Sequence, residues 1–143
     1  MPIYVLDTSA LLTVLNDEEG ADVVLEILAA ARCKEENSES TTVHLPFMAM
    51  MEMEYLMLRR LSQKEAQKVI TTVKAWPVEL RESSEEWRSE AAMVKATTRL
   101  SVADAWICGL AKLLGAELVH KDPEYEAVDG LRSLRLPYKA EAE

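Results

Sequence analysis

The chain has 143 residues, 49% of them apolar, and a net charge of −9. This length suits one ordinary domain with its own core, and the apolar share excludes a disordered chain. The acidic balance excludes a protein that coats nucleic acid through a broad basic face, but not a nuclease, because carboxylates that hold metal ions add negative charge themselves.

Ile3-Tyr4-Val5-Leu6 is a short apolar run of strand formers and predicts a strand buried on both faces. Asp7-Thr8-Ser9 supplies N-cap residues, and a helix starts at once through Leu15. A second helix is expected over Glu19–Arg32, with Ala21, Val24, Leu25, Leu28 and Ala29 on one face. The polar, acidic stretch 33–42 reads as a solvated loop. Val43-His44-Leu45 predicts a short strand, and Pro46 suits the first turn of a helix over Phe47–Leu61. Ser62-Gln63-Lys64-Glu65 has the capping-box pattern and opens a helix that runs to about Ala75.

Val78-Glu79-Leu80 is a weak strand, and Ser83–Arg99 is helical. Ser101 caps an apolar helix over Val102–Leu114, closed by Gly115. Ala116–His120 is a strand, and a last one is expected within Leu131–Leu136. Strands alternating with helices indicate an α/β fold with a parallel sheet, organised as one domain over 1–138 with a frayed tail over 139–143. Cys33 and Cys108 form no CxxC and have no histidine at ligand spacing, so a reducing cytoplasm is expected. The opening residues do not read as a signal peptide, and no run is long enough to span a bilayer.

In open parallel sheets the reactive groups gather beyond the carboxyl ends of the strands. Asp7 follows the first strand and Asp122 follows the strand ending at His120, so both point to one sheet edge. An aspartate after a strand also serves as a turn or capping residue. Asp104 lies in the otherwise apolar stretch Val102-Ala103-Asp104-Ala105-Trp106 and would be costly to bury unpartnered. It also reads as an acid in the first turn of a helix capped by Ser101. Glu52 and Glu54 are two apart, so they face nearly opposite sides of their helix, and periodicity leaves open which one serves a site. The surrounding Met48, Met50, Met51 and Met53 read as core filler. Carboxylates crowded at one edge repel each other, and a hard divalent cation such as magnesium relieves that repulsion while recruiting phosphate.

Four segments, in order, resemble the motifs of PIN domains: 3–12 (Ile3-Tyr4-Val5-Leu6-Asp7-Thr8-Ser9 and onward), 45–52, 100–107 and 117–124. The likeness runs from Ile3 to about Leu136, and the layout is most similar to VapC-type toxins of toxin–antitoxin pairs. The resemblance implies a three-layer α/β/α sandwich and a magnesium- or manganese-dependent endoribonuclease. It places the family's acids on Asp7, Glu52, Asp104 and Asp122 as catalytic and metal-holding residues, and it selects Glu52 over Glu54 by the count from Pro46. It further implies a homodimer, an RNA substrate and an inhibitory antitoxin protein as partner. Thr8 or Ser9 is a candidate to orient Asp7 or to bind a metal water, and helix capping explains them equally well. His120 stands where many relatives carry threonine or serine, and it is a candidate to hydrogen-bond in the acid cluster or to contact RNA. Facing solvent or neighbours at the strand end is an equally simple reading, and the resemblance does not make it a metal ligand. Arg59, Arg99 and Lys121 are candidates to steer phosphates, whereas Trp106 reads as core packing.

Two other classes compete. A non-catalytic interaction protein on the same fold is disfavoured by the intact acid set. An aspartyl-phosphate phosphotransfer domain of flavodoxin-like architecture usually has paired acids in its first motif, and here Asp7 is followed by Thr8 and Ser9. Only four glycines are present and none forms a phosphate loop.

Overall fold

Ile3-Tyr4-Val5-Leu6 forms β1 (Ile3–Leu6), and Asp7 turns the chain directly into α1 (Thr8–Leu15). The computed structural model describes residues 2–33 and 40–138; the expected tail and most of the expected acidic loop lie outside them. α2 (Ala21–Arg32) begins two residues later than its apolar periodicity suggests. The delay has a backbone cause: Gly20 takes a φ of +100°, a left-handed turn that side chains rarely adopt.

β2 (Thr42–Pro46) leads into α3 (Phe47–Arg60), with Pro46 ending the strand and standing just outside the helix. α4 (Gln63–Lys74) is capped as expected, since Ser62 accepts from the Glu65 backbone N–H. β3 (Glu79–Arg81), α5 (Glu85–Thr97) and α6 (Val102–Leu114) follow. Gly115 ends α6 with a φ of +62°, and Ala116 N–H reaches back to the Ala111 carbonyl, the wrapped ending that glycine permits. β4 (Glu117–His120) and β5 (Arg132–Arg135) complete the sheet. Between them lies a 3-10 helix, Pro123–Ala127, that periodicity did not announce because it is barely longer than one turn.

The strand order is β3-β2-β1-β4-β5, and every pairing is parallel. The chain walks outward from β1 to β3, then crosses back to β4 on the other side of β1. The reversal opens a crevice at the carboxyl ends of β1 and β4, the place where such sheets bind ligands. A flavodoxin-like sheet has a different order, so the phosphotransfer alternative loses its fold. Among the described residues six α-helices flank the sheet and give the expected three-layer α/β architecture.

Val5, Leu6, Val43, Leu45, Leu118 and Val119 build the sheet's share of the core, met by Leu11, Val24, Met53, Trp87 and Leu110 from the helices. Met53 fills the core as expected, but Met51 is 50% exposed, because α3 turns that side outward. Phe47, Trp87 and Trp106 pack edge to face, with centroids 5.2–5.3 Å apart. Trp87 Nε1 also donates to the Trp106 carbonyl at 2.6 Å. This cluster ties α5 to the first turn of α3 and the second turn of α6, the two helices that carry Glu52 and Asp104. Among the described residues no helix is long and apolar enough to cross a membrane.

α5 and α6 pack closely enough that a Cβ on Gly109 would sit 2.8 Å from Ala91 Cα and 2.9 Å from its backbone N. Neither atom is the end of a flexible side chain, so the helices themselves must part. Gly109→Ala gains up to about 1 kcal/mol of helix propensity but is expected to lose about 2 kcal/mol net through overpacking. Urea denaturation checks this: a midpoint at or above the parent's would show that the helices can separate freely.

Candidate active site

Asp7 leaves β1 with extended backbone (φ −85°, ψ 177°) and caps α1, its Oδ1 accepting from Ala10 N–H at 2.8 Å. The same oxygen accepts from Ser9 Oγ at 2.6 Å. The side chain is only 4% exposed. Burial pushes its pKa up to about 7; the Ser9 and Ala10 hydrogen bonds pull the other way, and the charges of Asp104 and Asp122 add to the rise. Capping accounts for one oxygen of this carboxylate and leaves the burial of its charge uncompensated.

Glu52 comes from the second turn of α3, and Thr8 Oγ1 donates to its Oε1 at 2.8 Å. Burial raises its pKa, the Thr8 bond lowers it, and Asp104 raises it again. Asp104 stands in the first turn of α6, where its N–H is held by Ser101 Oγ at 3.1 Å. Its Oδ1 accepts from the Tyr125 hydroxyl at 3.1 Å. Burial again raises its pKa, partly offset by the Tyr125 and Ser101 hydrogen bonds and reinforced by Asp122. Asp122 follows β4 and caps the 3-10 helix, accepting from Glu124 N–H at 2.9 Å. Ligand atoms of Asp104, Asp122 and Glu124 lie within 4.8 Å of one another, a span one cation can bridge.

Asp104 and Asp122 lie together with Glu124, and the charges of Asp104 and Asp122 reach Asp7 while that of Asp104 reaches Glu52, so acids from four separate elements share one sheet edge. Glu54, two residues from Glu52, is exposed on the opposite side of α3. It lines a different groove, with Met51, Gln67 and Leu80. The acids' mutual charge effects all have one sign.

Residues 4–131 match the PIN domain family model. The chain belongs to the PIN domain family. No curated protein matches this PIN domain in sequence. Among solved structures it is similar to VapBC2 from Rickettsia felis bound to a promoter DNA fragment, with 16% identity and a TM-score of 0.75 over 94% of this chain and 99% of that one. DNA-bound VapBC from Salmonella typhimurium is similar at 18% identity and a TM-score of 0.74, over 94% and 98%. VapC20 of Mycobacterium tuberculosis, described as a sarcin-ricin loop cleaving toxin, is similar at 16% identity and a TM-score of 0.67, over 92% and 98%. At these identities the likeness is one of fold.

Several assignments around this PIN domain's acids differ from the sequence reading. Thr8 does not orient Asp7; it holds Glu52, because the first turn of α1 directs its hydroxyl toward α3. Ser9 does hold Asp7, and its Oγ also accepts from the Lys121 N–H at 2.9 Å, linking α1 to the turn after β4. His120 is fully buried, so it faces neighbours rather than solvent or RNA, and its Nδ1 accepts from the Asp122 N–H at 3.1 Å. Lys121 is spent as well: its ammonium pairs with Glu18 at 3.3 Å and its side chain is 5% exposed. Arg59 lies over the Tyr55 ring and Arg99 borders a groove with Glu124; both are exposed.

Glu124 and Tyr125 escaped the sequence reading as site residues. The available signal was Pro123, which turns the chain after Asp122 and brings the next two side chains back toward the acids.

Proposed function

We propose that this PIN domain is a divalent-metal-dependent endoribonuclease and the toxin of a toxin–antitoxin pair. The observation that carries the reading is the convergence of Asp7, Glu52, Asp104 and Asp122 on the crevice between β1 and β4, with three of them raised in pKa chiefly by burial. No lysine or arginine side chain is hydrogen-bonded or ion-paired to any of the four among the described residues. A donor set made only of carboxylate oxygens suits magnesium or manganese.

Asp7 and Asp104 would anchor the cation, Glu52 would hold the cation or its water, and Asp122 would close the outer side, with Glu124 at hand. A bound divalent ion supplies charge neutralisation at the scissile phosphate and a more acidic water. The chain's own part is to hold the acids: Ser9 and Ala10 fix one oxygen of Asp7, Thr8 fixes Glu52, and Tyr125 fixes Asp104. Asp7, whose pKa burial raises to about 7, would release its proton when it holds the cation. Exposed Arg99, which lines a groove with Glu124, would meet a phosphate of the RNA. An antitoxin protein is part of the proposal, supported by the likeness to VapBC assemblies, and a homodimer is proposed from the family resemblance alone.

The test is cleavage of a mixed RNA pool by purified protein with magnesium or manganese, with EDTA, and with Asp7→Asn. Cleavage is expected to need the metal and to vanish in the variant. Cleavage that persists in EDTA would sink the metal reading. No cleavage under any condition would shift the weight to a non-catalytic interaction protein.

A further inference from the structure

His120 is fully buried, yet only one of its ring nitrogens is used. Nδ1 accepts from the Asp122 backbone N–H at 3.1 Å, which puts the proton of the neutral ring on Nε2. That buried Nε2 has no hydrogen-bond partner among the described residues. An unpartnered buried donor is costly, and an apolar ring would fill the same space without that cost. The property that an apolar ring lacks is the acceptor that holds the Asp122 turn.

The other side of the arrangement is equally specific. The His120 ring packs edge to face on Tyr125, with centroids 4.9 Å apart and planes at 62°. Tyr125 is also buried, and its hydroxyl is the donor to Asp104 Oδ1 at 3.1 Å. One ring pair therefore stands between the backbone of Asp122 and the carboxylate of Asp104. These two acids belong to different elements, α6 and the turn after β4, and as like charges they push each other apart. Beneath the pair, the His120 carbonyl accepts from Leu136 N–H at 2.8 Å, which ties the end of β4 to the chain after β5.

We propose that His120 and Tyr125 act as one buried positioning unit that holds Asp104 and Asp122 at the spacing a divalent cation needs. His120 sets the Asp122 turn, Tyr125 orients the Asp104 carboxylate, and their ring contact keeps the two in register. Neither residue touches substrate or metal. The inference rests on the metal-centre reading above and extends it to two residues that hold no cation. Partners of metal ligands typically change metal affinity by about 10–100-fold when removed.

The experiment is calorimetric titration of the full chain with manganese, beside thermal denaturation of each metal-free protein. Tyr125→Phe and His120→Phe are each expected to weaken manganese binding about tenfold, with metal-free thermal midpoints close to the parent's. His120→Asn keeps an acceptor near the position of Nδ1 and is expected to recover part of the affinity lost in His120→Phe. This separates the hydrogen bond from ring packing. Parental affinity in either Tyr125→Phe or His120→Phe would overturn the proposal while leaving the metal centre standing. A parent that binds no manganese, or binds it equally well after Asp7→Asn, would overturn the metal-centre reading and this unit with it. Tyr125→Phe removes a single oxygen, so it decides the question even if the His120 variants fold poorly.

Discussion

Asp7→Asn is expected to stabilise the metal-free protein at pH 8 while removing RNA cleavage. The Asp7 pKa rises from 3.8 to about 7, chiefly through burial; ionising it in the fold therefore costs about 4 kcal/mol at pH 8 relative to the unfolded chain. Asparagine keeps an oxygen to accept from Ser9 Oγ and Ala10 N–H, so the cap survives, and the buried charge is gone. Its amide needs a partner of its own, which leaves an expected net gain of about 2 kcal/mol. At pH 5 native Asp7 holds its proton, and the gain shrinks. Thermal denaturation at the two pH values decides it. A variant less stable than the parent at pH 8 would mean that the carboxylate is not strained by burial.

Manganese at a hundred times its pH 8 dissociation constant is expected to raise the parent's thermal midpoint by about 10 °C at pH 8, and the same concentration by much less at pH 5. Asp7, Glu52 and Asp104 all have folded pKa values above their unfolded ones. Between the unfolded carboxylate range and about pH 7 the native chain thus binds more protons than the unfolded one, and stability falls as pH rises through that window. A cation replaces those protons as the compensating charge, so its effect is largest where they have left. Asp104→Asn is expected to lose most of the shift. Equal shifts at pH 5 and pH 8 would place the bound ion away from these acids.

Local chemistry alone made much of this protein legible in its sequence. The strand-to-helix junction at Asp7, the serine caps at Ser62 and Ser101 and the glycine stop at Gly115 each rest on backbone preferences within a few residues, and all appear where those preferences put them. The parallel sheet follows from alternating strands and helices, and it carries Asp7 and Asp122 to one edge by geometry.

The remainder depended on which elements become neighbours. Helical periodicity could not choose between Glu52 and Glu54, because each lies on a face with apolar companions; the packing of α3 beside α1 chose, by setting Thr8 against Glu52. The same kind of contact spent Lys121 on Glu18, buried His120 against Tyr125 and brought Tyr125 to Asp104. Pairs such as Asp104 and Tyr125 are 21 residues apart, and no local preference encodes their meeting. Sequence by itself determined the elements and the edge at which the acids gather; the tertiary structure decided how each acid is held, since burial and hydrogen bonding arise only once distant elements pack.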